Sequence, residues 1–185
     1  MPHRPALRHA GVTLIETMIV VAVIAIVAAI AIPRAFTVSP AAVDAAAGEV
    51  ASALRFARRE AERTNAWHVV NFDTANQSLR IYRLTTSGAV SEDTANPVLH
   101  PVDKLPYQLA LGKGPAGAAI AGAVFKYDKS TTSYAAFGPD GTPAYIDARD
   151  PKGLHPLLSD GAVTLRHGNV QRVVKVAAVT GRVTF

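Results

Sequence analysis

Apolar residues follow three successive patterns along this chain. From Met18 to Ile32 they are continuous. With the residues just before it, the segment 12–32 supplies about 20 residues, a helix of about 30 Å, which matches the hydrocarbon thickness of a bilayer. From Ala41 to Asn65 the pattern becomes periodic: Val43, Ala47, Val50, Leu54, Ala57 and Ala61 recur at alternating spacings of four and three. That spacing predicts an amphipathic helix with one narrow apolar stripe, narrow enough in side-chain volume to pack closely on a sheet. Arg55, Arg58, Arg59, Glu62 and Arg63 occupy the opposite side. Pro33 and Pro40 punctuate the two halves, and Pro33, which lacks a backbone donor, predicts a kink or local melting. The whole of 12–65 is expected to form one long helix.

After Asn65 the period changes to two. Trp67–Phe72, Leu79–Leu84, Gly122–Tyr127, Tyr134–Phe137, Ala144–Ile146, Val163–Arg166, Val173–Ala177 and Gly181–Phe185 read as strands. Turn signals separate them, among them Asp73-Thr74-Ala75-Asn76, Gly138-Pro139-Asp140-Gly141 and His167-Gly168-Asn169. The stretch 85–118, rich in Gly, Pro, Ser and Thr, reads as a long irregular connection that holds at most one strand, near Tyr107–Leu111. The expected fold class is α+β: a long N-terminal helix packed on an antiparallel, β-sandwich-like head spanning 66–185.

Composition sharpens this picture at three points. Hydrophobic residues make up 49% of the 185 positions and the mean hydropathy is +0.18, which the N-terminal apolar block largely explains. Cysteine is absent, so neither disulfides nor thiolate metal sites hold the fold. The formal charge is +5. Arg4 and Arg8 lie in the first eleven residues with no acid, so loss of that leader lowers the charge by two, to a moderately basic +3.

The first 32 residues admit three readings. A secretory signal peptide explains the basic start, but the apolar stretch is too long and Pro33-Arg34-Ala35 is a poor cleavage site. A plain membrane anchor explains length and flank, with Arg4 and Arg8 in the cytoplasm and the head outside. Neither accounts for Glu16, a carboxylate beside the apolar run with no basic residue at helical spacing. An intramembrane carboxylate is costly unless paired, so its partner is expected from another chain.

Gly11-Val12-Thr13-Leu14-Ile15-Glu16, with the apolar helix and Pro33 behind it, resembles the processing segment of type IV prepilins. The resemblance implies a leader at 1–11, cleavage between Gly11 and Val12 by an inner-membrane prepilin peptidase, and N-methylation of Val12. It also implies that Glu16 pairs with the Val12 amine of a neighbouring subunit during assembly. In that setting 12–32 is the transmembrane and filament-core half of the helix, and 41–65 the half that packs on the head.

The remainder is similar to the GspH/FimT branch of minor pilins and pseudopilins. The residues carrying this are Leu54-Arg55-Phe56-Ala57-Arg58-Arg59-Glu60-Ala61, Val69-Val70-Asn71-Phe72, Phe137-Gly138-Pro139-Asp140-Gly141 and Val179-Thr180-Gly181-Arg182-Val183. The function implied is that of a structural subunit which initiates or primes a type IV pilus or a type II secretion pseudopilus. Its partners are prepilin peptidase, other pilin subunits and the inner membrane, with the head in the periplasm. The alternative is a filament-tip receptor for DNA uptake, using Arg166, Arg172, Lys175 and Arg182 as a basic edge that grips phosphates. Some FimT-like pilins bind DNA through a C-terminal Gly-Arg-x-Arg motif; here Gly181-Arg182-Val183 matches and Thr184 replaces the second arginine.

No catalytic signature occurs, so the chain does not read as an enzyme, and no cofactor is expected. His3 and His9 fall in the leader, and His68, His100, His155 and His167 are expected at surface or edge positions. Asp140, Asp147, Asp150 and Asp160 lack the compact spacing of a calcium loop and read as turn residues. Glu49, Glu60 and Glu62 are expected to pair with the helix arginines.

Overall fold

A computed structural model describes residues 13–31, 40–86, 89–112, 117–147 and 150–185. The chain divides into two compact units, 1–37 and 38–185. Gly11, Val12 and Pro33 lie outside the described residues, as does the junction that would make 12–65 one continuous helix.

The first unit contains α1, Leu14–Ala31. Thr13 caps it: its carbonyl accepts the Glu16 and Thr17 amides, and its Oγ1 lies 3.4 Å from the Glu16 nitrogen. Thr and Glu three residues apart at a helix start form a capping-box pattern, and an acid in the first turn suits the helix dipole. Every large apolar side chain from Leu14 to Val27 is exposed, on all sides of the helix. Among the described residues no helix is long and apolar enough to cross a membrane. The 18 residues of α1 rise about 27 Å, a little short of the hydrocarbon core, and Val12 and Ile32, which would complete the expected span, lie outside the described residues.

The second unit begins with α2, Pro40–Thr64. Proline suits the first helical position, where its missing N–H has no partner to lose. The predicted stripe is fully buried at Val43, Ala47, Val50, Leu54, Ala57 and Ala61, and Ala46, Ala51 and Ala53 widen it. The helix ends where Asn65 turns to φ 49° and the Ala66 amide reaches back to the Ala61 carbonyl, satisfying an end carbonyl.

Among the described residues twelve strands follow, in chain order: β1 His68–Asp73, β2 Ser78–Thr85, β3 Ser91–Glu92, β4 Gln108–Ala110, β5 Ala119–Lys126, β6 Thr131–Thr132, β7 Tyr134–Phe137, β8 Ala144–Asp147, β9 Asp150–Pro156, β10 Gly161–His167, β11 Val170–Val176 and β12 Val183–Thr184. One sheet runs β3-β2-β1-β7, with β4 also on β2; a second runs β12-β11-β10-β5-β6; β8 and β9 form a separate hairpin. All recorded pairs are antiparallel. The α2 helix packs against β1 and β7 of one sheet and β10, β11 and β12 of the other, so its stripe closes a core that both sheets share.

The described residues of the connection 85–118 are more ordered than its composition suggests. They carry β3 and β4, and a tight loop closed by the His100 and Leu105 backbone groups. The β9 strand was not expected because prolines interrupt it; they are tolerated on a two-stranded edge, where a missing donor faces away from the ladder. The last predicted strand shrinks to Val183–Thr184 because Gly181 and Arg182 are taken up in a turn.

Two polar contacts tie the sheets together. Gln77, in the β1–β2 turn, accepts the Ile120 amide at 2.6 Å and donates to the Ile120 carbonyl at 3.2 Å. The buried Tyr127 hydroxyl accepts the Ala136 amide at 2.9 Å, linking the end of β5 to β7. The β5 strand also brings fully buried Phe125 under Gly161, where an added β-carbon would lie 2.2 Å from Phe125 Cδ1. Gly161→Ala is therefore expected to cost about 1–3 kcal/mol through overpacking. Urea unfolding of the full chain in detergent would measure it, and an unchanged midpoint would contradict this packing.

Candidate functional site

Glu16 sits in the first turn of α1 and is exposed, one turn from the start of the described chain. The helix around it offers no second charged side chain, so its carboxylate projects from an otherwise apolar cylinder. The Thr13 cap on the Glu16 main-chain amide is a local feature that the sequence reasoning did not name, although the Thr-x-x-Glu spacing was there to be read.

The four C-terminal cations proposed as one basic edge are not brought together. In β10–β11, Leu165 faces Arg172, whereas Arg166 faces Gln171 and Ala162 faces Lys175. Leu165 is buried, so Arg172 points toward the helix side, where its Nε pairs with Asp44 of α2. Arg166 and Lys175 share the outer face, four residues apart along the ladder, which is about 13 Å. Arg166 is further held by the Gly168 carbonyl at 2.8 Å. The parity of the strand carried this signal: Arg172 alternates in phase with buried Val174 and Val176, and Lys175 does not.

Arg182 joins a different group. The chain turns at 177–182, where the Ala177 amide meets the Arg182 carbonyl and the Gly181 amide meets the Ala177 carbonyl, each at 2.9 Å. Gly181 has φ 63°, and a β-carbon there would lie 2.9 Å from the Gly141 carbonyl oxygen, so both backbone and space require glycine. The C-terminal segment then runs back along α2: Gly181 lies beside Arg58, Val183 accepts Arg55 Nη2 at 3.1 Å, and the Phe185 ring reaches Gly48. The seam leaves a cleft of about 380 Å³ lined by Arg55, Arg58, Arg59, Arg182 and Glu62, with Gly181 and Val183. Arg58 pairs with Glu62 at 3.1 Å, as the helical spacing predicts. The guanidiniums of Arg59 and Arg182 have no hydrogen-bond or ion-pair partner among the described residues.

The histidines depart from the expected surface positions at two sites. His68 and His155 are buried, 1% and 3% exposed. His155 lies against the Tyr145 ring, and its Nδ1 meets Asp128 Oδ1 at 2.8 Å; hairpin β8–β9 folds this short strand inward. His68 enters β1 beneath the end of α2, with Nδ1 donating to the Ala66 carbonyl at 3.0 Å. It borders a cleft of about 440 Å³ that also holds Glu60, Arg63, Arg83, His100 and Lys104. There Arg63 holds the Glu60 carboxyl below its usual range through a direct hydrogen bond. Of the four aspartates, Asp140 accepts from the Thr142 amide and hydroxyl, and Asp160 accepts the Ala178 amide. Among the described residues no cluster of three or more His, Asp or Glu side chains could hold a metal ion.

Comparison with known families now decides the lineage. Residues 46–180, nearly the whole head and most of α2, match the model for type II transport protein GspH. The chain belongs to the GspH family. Residues 7–32 of this GspH-family chain match the prokaryotic N-terminal methylation motif, which covers Gly11, Val12 and Glu16. Among solved structures it is similar to the minor pseudopilin EpsH from the type 2 secretion system of Vibrio cholerae, at 13% identity over 77% of this chain and 94% of that one, with a TM-score of 0.48. It is also similar to the type IV minor pilin FimU of Pseudomonas aeruginosa, at 15% identity over 77% of this chain and 86% of that one, with a TM-score of 0.43. A comparison with curated protein sequences gives no match.

The GspH-family head should respond to pH through His68. Burial lowers its pKa below the ordinary 6.5, against the Ala66 carbonyl and Glu60, which favour the proton. The unfolded chain therefore binds the proton more readily. The stability that neutral His68 confers is complete above about pH 6.5 and is lost progressively as the pH falls from there through the folded pKa. His68→Asn keeps a donor near the Ala66 carbonyl but cannot titrate. Its melting temperature should decline less steeply than the wild type's between pH 7 and pH 5, and parallel profiles would show that the slope has another source.

Proposed function

We propose that this chain is a minor pilin or pseudopilin, a structural subunit that helps initiate or prime assembly of a type IV pilus or type II secretion pseudopilus. The observation that carries this is α1: apolar on every side, with one carboxylate in its first turn, inside the matched N-terminal methylation motif. A helix apolar all round belongs in a bilayer or in the centre of an assembly. Prepilin peptidase would cut between Gly11 and Val12 from the cytoplasmic side of the inner membrane, leaving the head in the periplasm. Cleavage creates a cationic amine at Val12, which the peptidase then methylates. Glu16 of a neighbouring helix supplies the complementary charge, and the four-residue offset between the two groups sets the axial stagger. Pro33 would loosen the helix where it leaves the membrane.

The rival reading, a DNA receptor, needs Arg166, Arg172, Lys175 and Arg182 on one edge. The sheet distributes them over two faces and a turn.

Two substitutions separate the steps. Gly11→Leu should leave the leader attached and keep the chain out of filaments, read by the mobility of the protein in membrane and sheared-filament fractions. An uncleaved chain found in filaments would sink the reading. Glu16→Ala should be cleaved normally, yet its amount in filaments should drop about tenfold or more, as expected when a buried charge loses its partner. Normal incorporation of that variant would remove the role assigned to Glu16.

A further inference from the structure

The cleft between α2 and the C-terminal segment gathers more positive charge than its own acids match. Four guanidiniums, from Arg55, Arg58, Arg59 and Arg182, line it against the single carboxylate of Glu62. They do not arise from one run of sequence. Arg55, Arg58 and Arg59 lie on one side of α2, and Arg182 is set among them by the Gly181 turn, which is closed by two backbone hydrogen bonds and by contact with Gly141. Arg55 and Arg58 are already oriented, by the Val183 carbonyl and by Glu62. Among the described residues no partner takes the guanidinium donors of Arg59 or Arg182. Like charges held this close repel, and a fold that positions them is compensated when an anion enters.

We infer that this cleft is a docking site for a carboxylate-bearing segment of a neighbouring filament subunit. The inference rests on the subunit reading above. Planar guanidinium forks pair bidentately with carboxylates and phosphates alike, so the choice between them rests on two other features. The C-terminal segment that forms one wall also exposes Val179 and Phe185, at 82% and 58%, and arginine beside exposed aromatic and aliphatic side chains is the composition of a protein interface. Among the described residues the other C-terminal cations do not extend the cleft into a track for a phosphate backbone: Arg172 is tied to Asp44, and Arg166 and Lys175 lie on the outer sheet face.

The test uses the full-length chain, expressed with its companion filament subunits. A photoreactive benzophenone side chain replaces exposed Thr184, beside Arg182, and leader cleavage and presence in sheared filaments are scored in the same cells. The expected result is an adduct to an Asp- or Glu-containing peptide of another subunit. It should fall about tenfold in Arg59→Glu/Arg182→Glu, because like charges would then face each other, and return when the cross-linked carboxylates are changed to Lys. An adduct indifferent to charge reversal, an adduct to DNA, or no adduct from a chain that is cleaved and assembled would each overturn the docking site while leaving the subunit reading intact. A chain that is never found in filaments would overturn the subunit reading, and the docking site with it.

Discussion

The head depends on how closely α2 can approach two sheets at once. Its buried face is built from Ala46, Ala47, Ala51, Ala53, Ala57 and Ala61, with only Val43, Val50 and Leu54 to fill deeper space. Small side chains let the helix backbone lie near β1 and β7 on one side and β10 and β11 on the other. A wider helix would push the sheets apart and open the core around Phe72, Phe125 and Phe137, where gaps forfeit dispersion contacts. Among the described residues no hydrogen-bond ladder joins the two sheets, and side chains link them. Gln77 does this at one end and Tyr127 at the other. Burial raises the Tyr127 pKa well above its usual value, so its hydroxyl stays neutral and can accept the Ala136 amide without a charge being buried.

The first unit poses the opposite physical problem. The α1 helix has a surface that no charged residue relieves except Glu16. In lipid such a surface is satisfied, and against other apolar helices it is satisfied about equally well, so apolar burial by itself gives little preference between the two. A single charged group does discriminate, because a carboxylate in a dry environment needs its counter-charge. In the proposed assembly the direction of transfer and the stagger of subunits therefore rest on one ion pair, while the apolar helix supplies the permissive background.

The C-terminal seam joins the two concerns. The chain's last strand is only two residues long, yet its neighbours fix Arg182 and Phe185 along α2. The same helix thus buries alanine on its inner side and gathers guanidiniums on its outer side. Arg172 contributes from the sheet by holding Asp44, which draws the start of α2 to β11. This arrangement separates structural from available charge: Arg55, Arg58 and Arg172 are engaged within the head, and Arg59 and Arg182 face outward.

Much of this was legible in the order of residues alone. Elements whose partners lie within a turn or along one face announce themselves: the apolar run of α1, the four-and-three stripe of α2, and the alternation of β2 and β10. Short or proline-interrupted strands did not, since β3, β6 and β9 are held by neighbours rather than by propensity. The processing motif is likewise local chemistry, because a peptidase reads contiguous residues. What the sequence could not show was which charges meet between elements distant along the chain. Arg166, Arg172, Lys175 and Arg182 are close in number, but strand alternation sends successive side chains to opposite faces, and one turn carries Arg182 away. Arg55 and Arg182 are 127 positions apart, and only the antiparallel return of the C-terminus along α2 makes them neighbours. Local periodicity thus determined the elements of this protein, whereas its charged surface was decided by tertiary packing, because electrostatic contact depends on distance in space and not on distance along the chain.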